Sequence, residues 1–340
     1  MKLFITIDYE IFFGKPTDDI HEYLIKPTNR FIQLLNTYNI KCVVFVDAGY
    51  LFALKRQKNI FKQLSIAYND IVTQLQSIEL MGHEIGFHIH PHWEDCYFDG
   101  IKWQMNLTRY KIADYTKQQA ENIFKKYYSN LQSILTHQIV SYRAGGWCLE
   151  PFQHIKDIMK QCGLYIDSTV YPNGYSKNVT HQFNFKQYPK KELWRFNNNP
   201  KNENADGYFY EIPFTTYFTP PSLYWSVLKN TIVNRFKKNN SGEGVAPNFK
   251  AILKKLFTKT LQPVSIDTLK CIWLLQTFKQ HEKKQSQIFC MIGHPKCFGD
   301  DTYKNLLALI MYAKPKHSFS TFFNAFPKPI PDEKQSSIIY

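Results

Sequence analysis

The sequence predicts a single α/β barrel-like domain built on parallel strands. Short apolar runs alternate with helical patterns, as where a run at 41–47 is followed by a helical pattern at 59–81. Connections of this length join parallel strands through covering helices. Polar or glycine-bearing clusters come where the strands end, which is where such folds place their active sites. The 340 residues, 44% hydrophobic and 21% charged, exclude a disordered or disulfide-scaffold protein.

The elements are predicted in chain order from their hydrophobic spacing. Residues 2–8 form a first strand that ends at an acidic residue, and helix-like apolar spacing predicts a helix over 25–35. The run 41–47 is β-branched and too short for a helix, so it predicts a strand buried on both faces. Later strands are predicted at 84–88, 139–142, 165–167, 211–213 and 286–294. Later helices are predicted at 59–81, 116–135, 151–162 and 265–281.

We interpret residues 1–325 as one domain with an insertion at 171–262 and a flexible tail at 326–340. Within the insertion the alternation of strands and helices loosens into Asn/Lys-rich loops. Amphipathic basic helices are predicted there at 223–238 and 249–260. The tail is rich in proline and lysine.

The net charge of +14 indicates an anionic partner. Residues 229–259 hold eight basic residues and one acid, so half of the net charge lies in this segment. Its partner is predicted to be a phosphate-linked or lipid-linked substrate or an anionic membrane surface. A solvated lysine face is the other interpretation. Nucleic acid is not expected as a partner, because no nucleic-acid-binding motif is present and the charge explains none of the histidines.

The chain start and the cysteines predict a cytoplasmic protein. Residues 1–5 lead directly into the first strand without a signal peptide, and no apolar run reaches the roughly 18–20 residues of a membrane span. The seven cysteines show no CxxC spacing and are predicted to be reduced thiols. The basic segment adds a second expectation, a peripheral position at the inner face of the membrane.

A histidine cluster at 82–92 is the strongest local signal of chemistry. Four of the eleven histidines fall within it, namely His83, His88, His90 and His92. Neutral imidazole suits zinc and its neighbours, and two imidazoles from one strand end can share a metal if the backbone turns between them. Pro91 provides that turn between His88 and His92. His83 is interpreted as structural, and His90 as an exposed residue between the two ligands.

Three further strand ends carry polar residues that complete a hydrolytic set. Asp8 and Glu10 are two residues apart and point the same way if the strand persists. Arg143 stands beside a glycine pair and can orient a carboxylate, and His294 ends the last apolar strand. Two histidines with a carboxylate can hold a metal, Arg143 can hold the second carboxylate, and His294 can act as an acid. This set can hydrolyse an amide or ester with a metal-activated water.

In their order along the chain these motifs resemble those of the NodB-homology polysaccharide deacetylases, carbohydrate esterase family 4. The resemblance runs from about residue 1 to residue 300 and covers 171–262 only loosely. The spacing of His88 and His92 in a Gly-His-Glu-Ile-Gly context resembles the family's second motif. The first motif departs from the usual Thr-Phe-Asp-Asp-Gly, because Tyr9 replaces the second aspartate. The fold that the resemblance implies is a distorted (β/α)7 barrel.

The resemblance also implies a role for each candidate residue. The implied catalytic residues are Asp8 as base, Arg143 as the group that orients it, and His294 as acid. The implied metal ligands are Glu10, His88 and His92, since a subset of the family has an acid two residues after the first. The implied substrate and oxyanion residues are Gly146, Trp147 and Asp167, the last in an Asp-Ser pair like that of the variant subset.

The expected activity is metal-dependent removal of an N-acetyl or N-formyl group from an amino sugar, in surface-polysaccharide or lipid-linked glycan biosynthesis. One divalent ion is expected, zinc first, with cobalt, nickel or manganese as alternatives. A second hypothesis is an amidohydrolase acting on a non-sugar cyclic amide, because His88 and His90 also resemble the HxH pair of such enzymes. A third is an inactive glycan-binding barrel in which Tyr9 has displaced a metal ligand.

Overall fold

The structure is a computed structural model that describes most of the chain. The described residues are 1–13, 19–219, 257–268 and 270–329, together with Pro221 and Trp225. Three predicted features lie wholly or mostly outside them. These are the basic helices at 223–238 and 249–260, the charged segment 229–259, and the tail 326–340.

Strands and helices alternate through the described part of the chain. Its strands are β1 (Lys2–Tyr9), β2 (Val43–Asp47), β3 (Glu84–Ile89), β4 (Tyr97–Phe98), β5 (Trp103–Gln104), β6 (Ser141–Ala144), β7 (Ile166–Asp167), β8 (Tyr175–Lys177), β9 (Gln182–Asn184), β10 (Trp194–Phe196), β11 (Phe209–Glu211), β12 (Thr216–Thr219), β13 (Thr260–Pro263), β14 (Ile288–Met291) and β15 (Ser318–Phe319). Its α-helices are α1 (Lys26–Thr37), α2 (Ala48–Gln57), α3 (Lys62–Leu80), α4 (Lys117–Gln132), α5 (Lys156–Gln161), α6 (Leu274–Lys283), α7 (Asp300–Ala313) and α8 (Phe322–Ala325).

A curled, mostly parallel sheet of nine strands forms the barrel. The strand order is β10-β11-β7-β6-β3-β2-β1-β14, with β15 added to β1, and only β10 runs antiparallel to its neighbour. After β11 the backbone N–H of Phe214 donates to the carbonyl of Val170, and that of Thr215 donates to Cys290. This segment therefore connects the two sides of the sheet. The predicted α/β barrel fold is confirmed.

The amino-terminal end of the barrel is filled with aromatic side chains. Phe4 of β1 packs against Phe322 of α8 with ring centroids 4.9 Å apart, and Phe326 lies 5.7 Å from the same ring. All three side chains are buried. Because this end is packed with apolar groups, the polar residues at the carboxyl ends of the strands meet at the other end, where parallel α/β folds bind ligands.

Several predicted boundaries differ from the observed ones. The helix predicted at 265–281 begins only at Leu274, after a 3₁₀ turn at Cys271–Trp273, and the one predicted at 151–162 is a 3₁₀ turn followed by α5. Two strands of the main sheet, β10 and β11, lie within the segment 171–262 that we interpreted as an insertion. None of the seven cysteines, all of which lie in the described ranges, forms a disulfide bond. None of the helices in the described ranges has the length and hydropathy needed to cross a bilayer.

Candidate functional site

Asp8 and Glu10 point to the barrel interior from the end of β1. Both side chains are buried, and Tyr9 between them points to the opposite face of the strand, as the two-residue period requires. There the Tyr9 hydroxyl donates a 2.6 Å hydrogen bond to the side-chain oxygen of Gln74 in α3. Tyr9 is therefore part of the packing between β1 and the helices.

Glu10, His88 and His90 form a buried group whose ligand-type atoms face one another. His90 Nε2 lies 2.8 Å from Glu10 Oε2 and 3.0 Å from His88 Nε2, and His88 Nε2 lies 3.3 Å from the same Glu10 oxygen. Tetrahedral zinc with bonds of about 2.0–2.1 Å holds its ligand atoms roughly 3.3 Å apart. One such ion therefore fits these three atoms with small adjustments. Two imidazoles and a carboxylate are also a donor set that suits zinc and its neighbours.

The backbone of β6 orients both histidines. His88 Nδ1 lies 2.9 Å from the carbonyl oxygen of Arg143 and donates to it, so the lone pair of Nε2 is directed at Glu10 and His90. The ring of His90 occupies the space beside Gly145, where a Cβ would lie 2.5 Å from its Nδ1. Among the described residues, that Nδ1 has no hydrogen-bond partner. The His90 ring can therefore take this position only because residue 145 is a glycine.

The structure changes the interpretation of the histidine cluster. His90, which we predicted to be exposed, is 2% exposed and belongs to the group with Glu10 and His88. His92 is fully buried and lies outside that group, with its ring stacked on Tyr110 at a centroid distance of 5.3 Å. Neither ring nitrogen of His92 has a hydrogen-bond partner among the described residues. The geometry therefore favours His90 over His92 as the second histidine ligand.

Arg143 is held in β6 with its guanidinium against Asp8. Its Nη1 donates to Asp8 Oδ1, and its Nε donates to the backbone carbonyl of Ser168 at 2.8 Å. The guanidinium lies between the rings of Phe45 and Phe214, at 3.9 and 4.5 Å from their centroids. Such a buried, fully engaged cation fixes the position of the Asp8 carboxylate.

His294 approaches Asp8 from the end of β14 and is backed by Asp267. Its Nδ1 lies 3.0 Å from Asp267 Oδ2, and its backbone N–H donates to Asp267 Oδ1 at 2.8 Å. Burial lowers the pKa of His294, but Asp267, with Asp8 and Glu10, raises that pKa to about 9. The free nitrogen, Nε2, lies 3.7 Å from Asp8 Oδ2. His294 is thus arranged as a protonated donor at neutral pH.

Lys296 adds a second buried cation to the site. Its Nζ donates to Glu10 Oε1 at 2.9 Å and to the carbonyl of Ile11 at 3.0 Å. Burial alone would raise the pKa of Glu10, but Lys296 and the bonds from His88 and His90 hold it well below its usual range. Glu10 is therefore ionised, with one oxygen on Lys296 and the other facing the two histidines.

These groups line one cavity of about 260 Å³. The lining includes Asp8, Glu10, His88, His90, Arg143, Gly146, Trp147, His294 and Lys296, with Phe13, Leu107, Tyr110, Ala144, His181 and Ile292. Gly146 has a φ of 58°, a left-handed conformation that glycine adopts without strain. Of the nine residues proposed from the sequence, seven lie on this cavity.

The two predicted site residues that do not line the cavity are His92, described above, and Asp167. The Asp167 side chain is completely buried, accepts from the hydroxyl of Thr169 at 2.6 Å, and pairs with the carboxyl group of Glu211 on the adjacent strand. Glu211 in turn accepts from the backbone N–H of Val170 at 3.0 Å. Burial raises the pKa of both acids, so the pair keeps its protons to a higher pH than exposed carboxyl groups would. In the structure Asp167 thus belongs to a buried pair away from the cavity, and its predicted contact with substrate stays a prediction.

Sequence reasoning missed Asp267, Lys296, Tyr110 and His181. Asp267 was hidden inside the helix predicted at 265–281, although an acid that follows the apolar residues Val264 and Ile266 carries the same signal as Asp8 near the end of β1. Tyr110 and His181 come from long loops, whose residues carry no periodic pattern. Only the fold brings them to the cavity.

Solved structures share this fold at low sequence identity. A Mycobacterium smegmatis protein assigned as a polysaccharide deacetylase and the PuuE allantoinase each match with a TM-score of 0.50 and 12% identity, over 95% of this chain and 88% of theirs. A Bacillus anthracis pseudoenzyme of the CE4 family matches with a TM-score of 0.41 and 9% identity, over 95% of this chain and 64% of its own. No family model and no curated protein matches the sequence. The resemblance to the polysaccharide deacetylases is confirmed at the level of the fold.

Proposed function

We propose that the protein is a metal-dependent hydrolase that removes an N-acetyl or N-formyl group from an amino sugar. One observation carries the proposal: a carboxylate–histidine–histidine group, a second carboxylate held by arginine, and a carboxylate-backed histidine line the same cavity. The fold shared with a protein assigned as a polysaccharide deacetylase supports the substrate class. A role in surface-polysaccharide or lipid-linked glycan biosynthesis is part of the proposal.

Glu10, His88 and His90 would hold the divalent ion, zinc in the first instance. When bound, this ion supplies a Lewis acid that polarises the substrate carbonyl and makes water more acidic. Asp8, positioned by Arg143, accepts the proton of the attacking water, and His294 donates a proton from Nε2 to the departing nitrogen. In this proposal the backbone N–H of Gly146 would stabilise the developing oxyanion, and Trp147 would form a wall of the pocket.

Metal content tests the first half of the proposal. About one divalent ion per chain is expected in the purified protein, and its loss in Glu10→Gln, His88→Ala and His90→Ala. His92→Ala is expected to retain it, and His137→Ala, at an exposed histidine outside the cavity, is the matched control. Loss in His92→Ala with retention in His90→Ala would restore the assignment made from the sequence. If the wild type holds no metal even after reconstitution with divalent ions, the proposed hydrolase activity is contradicted and a glycan-binding barrel is favoured.

Acyl release tests the second half. The metal-loaded protein is expected to release acetate or formate from an N-acylated amino sugar, and Asp8→Asn is expected to abolish this while retaining metal. The shared fold with PuuE allantoinase and the HxH arrangement of His88 and His90 favour a second candidate, hydrolysis of a cyclic amide. Ring opening of allantoin or a cyclic imide, without acyl release from sugars, would establish this alternative.

A further inference from the structure

Two segments outside the barrel strands form a roof over the cavity. The first is the loop after β5, which contributes Leu107 and Tyr110 to the cavity lining. The second is the hairpin of β8 and β9, which contributes His181. We define these three residues, with the loop and hairpin that carry them, as the roof.

The loop and the hairpin are joined to each other. The ring of Tyr110, which is 3% exposed, lies 4.4 Å from the ring of His181, centroid to centroid. On the outside, Lys111 Nζ donates to the carbonyl oxygen of Val179 at 2.8 Å. An aromatic contact inside and a charge-assisted hydrogen bond outside hold the two segments together.

The roof rests directly on the residues that follow β6. A Cβ built at Gly146 would lie 2.7 Å from a ring carbon of His181 and 2.9 Å from the Tyr110 hydroxyl oxygen. The ring of Trp147 packs against Phe183 of the hairpin at 5.8 Å. The space over the proposed oxyanion residue is therefore occupied by the roof.

The cavity left below the roof is small. Its volume of about 260 Å³ is under the roughly 300–1,000 Å³ of pockets that bury a drug-sized ligand. An internal residue of a glycan carries sugar on both sides, so its reaction needs two openings for the chain. A terminal residue or a free sugar derivative needs one.

We propose that the roof, through Tyr110 and His181, restricts the substrate to a single N-acylated residue, either a free sugar derivative or the end of a glycan. Internal residues of a polymer are excluded. This substrate class rests on the proposed deacetylase function. The size restriction rests on the volume of the cavity and on its lining, not on the reaction, so the two can fail separately.

Position-resolved deacetylation tests the substrate class. The metal-loaded, full-length protein is given the tetramer of N-acetylglucosamine, and the position of each lost acetyl group is determined by tandem mass spectrometry. Loss confined to an end residue is expected. His181→Ala removes a half-buried side chain from the roof. This variant is expected to lose acetyl groups from internal residues at least several-fold more, relative to the end residue, than the wild type does. Comparable loss at internal and end residues in the wild type would overturn the proposal.

Hydroxamate binding tests the roof without requiring turnover. Calorimetry of the metal-loaded protein is expected to show biphenyl-4-hydroxamate binding at least about tenfold more weakly than acetohydroxamate. The ratio should fall in His181→Ala and stay unchanged in Tyr97→Ala, a tyrosine that is 57% exposed and outside the cavity. Equal affinities of the wild type for the two hydroxamates, or binding of neither compound, would contradict the proposed size restriction by the roof. A retained size preference without acyl release would contradict the deacetylase function alone.

Discussion

Each charged carboxylate at the site lies against a partner of opposite sign. Asp8 is paired with Arg143, Glu10 with Lys296, and Asp267 with His294. An unpaired charge at these positions would be costly, because burial removes the water that stabilises it. The pKa shifts of Glu10 and His294 are therefore set by named neighbours, so a single substitution can change them.

Replacing Asp267 by asparagine tests the pairing with His294. Asp267 is the largest of the groups that raise the pKa of His294 to about 9. In Asp267→Asn the carboxylate charge is lost while the side-chain shape is kept, so the pKa of His294 should fall. NMR titration of the imidazole in metal-free wild type and variant measures this directly. An unchanged pKa would mean that Asp8 and Glu10, not Asp267, hold the proton on His294.

At the residue scale, the sequence predicted which types of chemical group form the site. It was less successful in choosing between the neighbouring histidines His90 and His92. Asp8, Glu10 and His88 could be found because each stands at or just after the end of an apolar strand. His92 was chosen over His90 because Pro91 was expected to turn the backbone between two ligands. In the structure His90 is still extended, with φ −114° and ψ 98°, so it shares the face of His88 under the two-residue period. The turn begins one residue too late to bring His92 to Glu10.

At the scale of elements, α8 is attached to the barrel through Glu84. This carboxylate, at the start of β3, accepts from the backbone N–H of Phe323 at 2.8 Å and from the hydroxyl of Ser141 in β6 at 2.7 Å. One side chain thus connects two strands with the helix that fills the amino-terminal end of the barrel. Its burial raises the pKa of Glu84 to about 7 despite these hydrogen bonds.

The stability of the fold should therefore depend on pH through Glu84. The folded protein keeps this proton to about pH 7, whereas the unfolded chain releases it near the ordinary value of 4.5. Because the folded state binds more protons in this interval, the free energy of unfolding should fall as the pH rises from 4.5 to 7. Urea unfolding at pH 5 and pH 7.5 measures the change, and Glu84→Gln should remove that part of it. The same pH dependence in both proteins would contradict this role.

The helices and strands that were predicted are those with a clear hydrophobic periodicity. The elements that were missed lack this periodicity for physical reasons. α2 was not predicted because it starts directly at the end of β2, where Asp47 both ends the strand and caps the helix by accepting from Gly49 and Tyr50. Most of its residues are buried, so no polar face marks it as amphipathic. The hairpin of β8 and β9 is equally hidden, since its strands are three residues long.

At the scale of the whole molecule, a metal ion would join parts of the chain that are distant in sequence. Glu10 follows β1, while His88 and His90 belong to the end of β3. An ion that binds only the folded state stabilises it by about 2.7 kcal/mol when its free concentration is 100 times its dissociation constant. Zinc should therefore raise the Tm of the wild type and leave that of Glu10→Gln nearly unchanged. Equal shifts in both proteins would place the bound zinc elsewhere.

The pairing of β1 with β14 also has a consequence for biosynthesis. Lys2 to Ile5 pair with Ile288 to Met291, so one edge of the first strand stays uncovered until the ribosome has made residues 288–291. Pairings of such long separation form slowly, and an open strand edge can pair with another molecule in the meantime. His294 emerges later still, long after Asp8. A nascent or truncated chain that stops before β14 would therefore be both prone to aggregation and without its proposed acid.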